Sequence, residues 1–276
     1  MTVLVAVRTL SAIIFAADSK LTTYGRVGFD EKGEAIIVPQ TYDNATKIVS
    51  DQARTGMAAV AGSASMGKMS FMDYIASTTL PTLAEPGQQE KALDGVAQAM
   101  AALRAEYWSD VALERWPVTQ LLVATSSPDS RSPLLWEVNF QGKEAKVELV
   151  GNRVYFAGTY QRIFPLLYGY DLYLVHAAAA ELKAGEQPVN PDDLLAVLAR
   201  TLKVLKPIEQ MNPHVMPIQD AVDFAYFLAT TEIQMERFLP GEAACGGPVD
   251  VMVLKTSPAT EILWYPGKEL HHPGLR

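Results

Sequence analysis

The chain has 276 residues, of which 49% are hydrophobic and 20% charged, and its formal net charge is −8. That length sits near the upper end of what one core supports, so a single domain over 1–276 is expected, and the acidic balance argues against nucleic acid or an anionic membrane surface as the main partner. Cys245 is the only cysteine, so it has no internal disulfide partner, and the expected compartment is the cytoplasm. The run from Val3 to Ala17 is interrupted by Arg8, Thr9 and Ser11 and so does not read as a signal peptide. No uninterrupted apolar stretch is long enough to span a bilayer.

The opening VLVAV and the AIIFAA that follows RTLS predict a hairpin of two buried strands within the first eighteen residues, so the chain starts inside a sheet. TKIVSD and TGMAAVAG form a second strand pair, with Gly62 and Ser63 at a strand-to-helix junction. Apolar spacing in SMGKMSFMDYIASTTLPTL predicts a helix, and a second helix is expected over Gln88 to Trp108. VTQLLVATS, SPLLWEVNF, KVELVG and VYFAG read as the partner strands.

From Tyr160 helical periodicity returns in QRIFPLLYGYDLYLVHAAAAELKAG, in PDDLLAVLARTLKVLK behind an Asp cap, and in IQDAVDFAYFLATTEIQMERF. GGPVDVMVLK and EILWYPG close the chain as two more strands. Blocks of strands between blocks of helices predict an α+β fold with sheets sandwiched between helical layers, because each sheet's apolar faces must be covered. No internal repeat, Pro/Gly-rich linker or low-complexity tract divides the sequence.

Thr2 leads its strand and is followed in order by FAADSK, TKIV, AVAGSAS and FAGTYQ, with CGGPVDVMVL in the last core strands. Together these patches resemble the proteasome β-subunit family of N-terminal nucleophile (Ntn) hydrolases, including its bacterial HslV and Anbu branches. The resemblance implies a four-layer αββα sandwich. The length beyond a minimal HslV-type chain implies helical insertions at 24–42 and 166–217.

A threonine hydroxyl is a poor nucleophile at neutral pH and needs an adjacent base, which a free N-terminal amine supplies. Thr2 acquires that amine once Met1 is removed, and its small size suits the removal; a retained Met1 acylates the amine and disables it. Asp18 read alone is a turn cap or a solvated carboxylate. The resemblance implies that it holds the lysine that lowers the proton affinity around the nucleophile, and Lys47 of TKIV matches that lysine. Strand lysines ordinarily point to water, and Lys20 is the competing choice, two residues beyond Asp18.

A glycine at a strand-to-helix turn brings its backbone N–H close to substrate, and Gly62 matches the family's oxyanion-binding glycine. Thr22 and Ala64 match positions whose backbones pair with an extended substrate, while Leu21, Ala45, Val49 and Val60 match the lining of an apolar specificity pocket. Thr159 stands where the family usually has serine, and keeps the hydroxyl. Counting back from Gly246 places Glu242 at the usual aspartate and Cys245 at the usual serine, with Glu232 and Glu236 on the preceding helix as other sources of a carboxylate. Cys245 reads most simply as a small packing residue.

His176, His214, His271 and His272 lack metal-ligand spacing, and no phosphate-binding or dinucleotide fingerprint is present, so no cofactor or metal is expected. The Met-rich stretch GMAAVAGSASMGKMSFM reads as core and interface packing, and the helix SMGKMSFMDYIA is a candidate subunit contact. The expected function is an N-terminal threonine hydrolase acting on peptide or amide bonds of a polypeptide substrate, with identical subunits in a ring or helical stack. Whether an ATP-driven unfoldase feeds it is left open. A catalytically impaired scaffold of the same fold, or a small-molecule amidase or transpeptidase, are the competing readings.

Overall fold

The computed structural model describes residues 2–29, 32, 35–51, 54–63, 65, 66, 69–79, 88–127, 130–182, 190–201, 208, 211–257 and 259–265. Strand β1 (Val3–Arg8) is buried through Val7, and a strand apolar on both faces needs a covering layer on each. It lies in a five-stranded sheet ordered β12 (Val154–Gly158), β1, β2 (Ala12–Asp18), β13 (Val249–Lys255) and β14 (Glu261–Tyr265). A second five-stranded sheet is ordered β11 (Glu144–Leu149), β10 (Ser130–Gln141), β9 (Thr119–Ser127), β6 (Gly56–Gly62) and β5 (Ile48–Ser50). Neighbouring strands in both sheets are antiparallel.

The helices among the described residues include α1 (Phe71–Tyr74), which continues as a π-helical turn over Ile75–Thr79, α2 (Gln89–Tyr107), α3 (Phe164–Tyr168), α4 (Leu172–Leu182), α5 (Pro191–Thr201) and α6 (Ile218–Glu236). Leu4, Ala6, Ile13 and Phe15 of the first sheet cluster with Met57, Ala59, Leu122 and Ala124 of the second. The opposite face of β1, formed by Val3, Val5 and Val7, packs with Ala225, Leu228 and Ala229 of α6. On the second sheet, Ala58, Val60, Leu121 and Val123 cluster with Phe71 and Met72 of α1 and with Leu93, Ala97 and Met100 of α2. The fold is therefore mixed α+β, with helices packed against both sheets. No helix of the described residues is long and apolar enough to cross a membrane.

Several elements differ from the sequence-based expectations. The helix expected from Ser65 begins at Phe71, because Ser65–Met66 (β7) and Met69–Ser70 (β8) pair as short strands and the Ser70 hydroxyl caps α1 by accepting the Asp73 N–H at 3.4 Å. Its apolar residues Phe71, Met72 and Ile75 are buried against the second sheet, so they are core rather than subunit contact. The helix expected from Gln161 splits into α3 and α4 because Gly169, at φ 78°, ends α3 as a left-handed cap. Before α5 the capping side chain is Asn190, not an aspartate; it accepts the Asp192 N–H at 3.1 Å. The insertion expected at 24–42 is not helical where it is described: β3 (Leu21–Phe29) and β4 (Ala35–Tyr42) pair as an antiparallel ribbon, separate from both sheets.

Register sets the site. Val3 pairs with Gly158 and Leu4 with Ala17, so Thr2 sits where the ends of β1, β2 and β12 meet. Leu4 is fully buried between the sheets, so Leu4→Ala should lower stability by about 2–5 kcal/mol. The exposed Leu149→Ala should change it by no more than about 0.5 kcal/mol in the same urea titration.

Candidate active site

Asp18 ends β2 in the interior, and its carboxylate is met from four places in the chain. Oδ1 accepts the Val3 N–H at 3.1 Å and the Lys47 ammonium at 2.8 Å; Oδ2 accepts the Lys20 N–H at 3.2 Å and the Gly246 N–H at 2.9 Å. Four donors match the acceptor capacity of an ionised carboxylate. The Lys47–Asp18 pair is buried, with side-chain exposures of 6% and 0%, and removing one partner from such a pair typically costs 3–5 kcal/mol because the other charge is left uncompensated. Since Lys47 and the Val3 N–H share one oxygen, the ammonium lies two hydrogen bonds from the peptide that joins Thr2 to Val3.

Thr2 itself is 3% exposed, and its carbonyl accepts the Thr159 N–H at 2.7 Å. Gly158 makes that contact possible. Its φ is 76°, and a Cβ at this position would stand 2.0 Å from the Thr2 carbonyl oxygen, so only glycine fits. The same Cβ would stand 3.2 Å from the Ala61 side chain, which brings the end of β6 alongside Thr2. Thr159 is 4% exposed, and its hydroxyl has no hydrogen-bond partner among the described residues. Gly62, the next residue of β6, has φ 100°, and a Cβ there would stand 2.1 Å from the Val118 carbonyl oxygen; backbone crowding by itself requires a glycine.

Thr2, Asp18, Lys47 and Thr159 are thus brought together, with Gly62 beside them at the end of β6. Lys20 directs its ammonium elsewhere, to the Ala243 carbonyl at 2.7 Å. Glu242 is exposed and is not among the partners of Asp18; its Oε1 accepts the Thr22 hydroxyl at 3.3 Å. Leu21 and Ala45 are half-buried, and the Ala45 N–H donates to the Ser19 carbonyl at 2.9 Å. Val60 is buried with the cluster that includes α1 and α2, and Val49 packs against it. Ala64, His271 and His272 lie outside the described residues.

Two other carboxylates and the cysteine stand near. Glu232 on α6 is fully buried, and its Oε2 accepts the N–H groups of Arg162 and Ile163 at 3.0 Å each, which ties down the turn after Thr159. Burial raises its pKa, opposed by those two backbone hydrogen bonds. Glu236 accepts the Ala244 N–H at 3.1 Å and so holds the loop leading to Cys245 and Gly246. Among the described residues, no group of three His, Cys, Asp or Glu side chains is placed to hold a metal ion.

Sequence reasoning did not single out Gly158 or the Gly246 N–H. The motifs FAG and GGPVD contained both glycines, but the demand on Gly158 comes from a carbonyl at the far end of the chain.

No protein-family model matches the chain, and no curated protein matches it. Among solved structures it is similar to the helical assembly of the Anbu complex from Pseudomonas aeruginosa, at 12% identity and a TM-score of 0.47, covering 96% of this chain and 86% of that one. It is also similar to Anbu (ancestral beta-subunit) from Yersinia bercovieri, at 14% identity and a TM-score of 0.44 over 98% of this chain and 88% of that one. For Anbu from Hyphomicrobium sp. strain MC1 the figures are 12%, 0.45, 97% and 88%.

The Cys245 thiol is buried, and its pKa is pushed up to about 12 by desolvation first and then by the carboxylates of Asp18, Glu232 and Glu236, with Lys47 opposing. The thiolate is the reactive form, so native Cys245 should resist iodoacetamide from pH 7 to 9 and react readily once the chain is unfolded in guanidinium. Mass spectrometry counts the adducts.

Proposed function

We propose that the chain is a threonine-type Ntn hydrolase that cleaves peptide bonds, one domain over 1–276 built as a four-layer αββα sandwich with insertions at 24–42 and 166–217. The observation that supports this reading above others is the sharing of Asp18 Oδ1 between the Lys47 ammonium and the N–H of the residue that follows Thr2. A buried cation at that place lowers the cost of deprotonating a neighbouring hydroxyl.

Removal of Met1 leaves the Thr2 amine free. The Thr2 hydroxyl oxygen attacks the scissile carbonyl carbon while its proton passes to that amine. The oxyanion that forms is met by the Gly62 N–H. Collapse of the tetrahedral species breaks the C–N bond, and the leaving amine takes the proton, leaving an ester on Thr2. Water then attacks the ester carbonyl while the amine accepts its proton, and the amine returns that proton to the Thr2 oxygen as the ester C–O bond breaks, which releases the acid product and restores the Thr2 hydroxyl.

Asp18 holds Lys47 in place through the 2.8 Å ion pair. The hydroxyl of Thr159, without a hydrogen-bond partner among the described residues, is available to the freed amine. Thr22 and Ala64 pair with an extended substrate through their backbones, and Glu242 restrains Thr22 at the rim of that groove. Leu21, Ala45, Val49 and Val60 shape the apolar specificity pocket.

The protein works in the cytoplasm as an assembly of identical subunits. The strongly exposed Tyr173 and Leu174 on α4, and Phe238 just beyond α6, are apolar side chains suited to such contacts.

Mass spectrometry of the purified chain should show loss of Met1, and an electrophilic peptide should add covalently to Thr2. Thr2→Ala should lower turnover of an unfolded polypeptide by roughly a thousandfold or more, with particle size and thermal midpoint unchanged. Retained turnover in that variant would refute the mechanism. A retained Met1 with no adduct would instead indicate a scaffold.

A further inference from the structure

The layer between the sheets is apolar around Leu4, Phe15, Met57 and Leu122, yet at one rim it holds a connected set of polar side chains from three strands. Gln120 of β9 alternates onto the same face as Leu122 and Ala124, Glu137 of β10 onto the face of Leu135, and Tyr155 of β12 packs against the same cluster. Glu137 is 7% exposed and forms no ion pair among the described residues. Its Oε1 accepts the Gln120 amide N–H at 3.0 Å, and its Oε2 accepts the Tyr155 hydroxyl at 2.6 Å. Polar groups in such a layer cost free energy unless every one is partnered, and apolar residues of similar size would fill the space without that demand.

The set ends on a backbone group beside Thr2. A carboxylate only accepts, so Glu137 orients the Gln120 side chain with its NH2 inward and leaves its carbonyl oxygen free for one more donor. That donor is the Gly158 N–H, at 2.9 Å. Gly158 is the residue that packs against the Thr2 carbonyl, and the next N–H, from Thr159, hydrogen-bonds that carbonyl at 2.7 Å. Tyr155 is held as a neutral donor, because burial and then Glu137 raise its pKa far above the ordinary phenol value.

We infer that Gln120, oriented by Glu137 and Tyr155, is a positioning residue for the Thr2 nucleophile: it fixes the Gly158–Thr159 corner that clamps the Thr2 carbonyl. Its catalytic consequence rests on the hydrolase reading above, whereas the clamp itself does not. Without the amide, the Gly158 N–H loses its acceptor and the corner is free to shift. A displacement on the order of 1 Å at a reacting group costs roughly a hundredfold in rate.

The test uses the full chain and an electrophilic peptide that acylates Thr2. Its reversible binding constant and its maximal rate of adduct formation are measured separately, together with amide hydrogen exchange at Gly158 and Thr159. Gln120→Leu keeps the side-chain bulk and removes both hydrogen bonds. It should slow the maximal rate by about ten- to a hundredfold, leave the binding constant within about twofold, and speed exchange at Gly158. A folded Gln120→Leu with wild-type rate and exchange would overturn the inference.

If that variant does not fold, Tyr155→Phe removes a single hydroxyl and should slow adduct formation a few-fold with the fold intact; an unchanged rate and unchanged exchange there would also overturn it. Should the wild-type chain form no adduct at all, the hydrolase reading fails on its own. Exchange at Gly158 then decides the clamp: faster in Gln120→Leu supports it, and unchanged contradicts it.

Discussion

A single buried carboxylate organises the candidate site. Asp18 receives donors from β1, from the turn after β2, from the approach to β5 and from the loop before β13, and so joins the first sheet to the edge of the second. An unpaired charge at this depth would be strongly unfavourable, and every lone pair is used. The constraint is mutual: Lys47 is tolerated in the interior because Asp18 is there, and both are fixed because Val3 and Gly246 hold the same carboxylate. Residue 2 inherits this order, since its own peptide bond leads into one of those donors.

Backbone crowding does comparable work on the other side of Thr2. Gly158 and Gly62 both have positive φ, and each admits a carbonyl oxygen, of Thr2 and of Val118, where any Cβ would collide. The first brings the end of β12 to the end of β1, with Ala61 of β6 alongside, and the second packs the end of β6 against the start of β9. A polar set of Gln120, Glu137 and Tyr155 then stands behind Gly158, beside the apolar cluster of Leu4, Phe15, Met57 and Leu122. The site is thus defined less by its reactive side chains than by the groups that deny them freedom to move.

Strongly patterned elements were legible in the sequence. The first hairpin, the strands from 119 to 158, α2, α6 and the closing strand pair follow the apolar runs closely, because their burial pattern is local information. Elements set by competition were not. Periodicity ran from Ser65 through the helix start, but the Ser70 hydroxyl placed the cap five residues later, and Gly169 broke a stretch that is otherwise well suited to a helix. The β3–β4 ribbon went unseen because none of its side chains among the described residues joins a buried apolar cluster, so its pattern is weak.

At the site, Asp18 and Lys47 carried no signal of their own; short patches in a familiar order singled them out. The structure shows them paired, and it shows Glu242 exposed on Thr22 instead of beside them. Gly158 could not be read as special, because what it must accommodate is distant in sequence. The most direct measurement is a high-resolution crystal structure of the chain after removal of Met1. The account predicts the Thr2 hydroxyl within hydrogen-bond reach of the Lys47 ammonium, at roughly 3 Å, with the Asp18 pair intact. A hydroxyl turned away from Lys47, or an Asp18 pair dissolved by the freed amine, would contradict it.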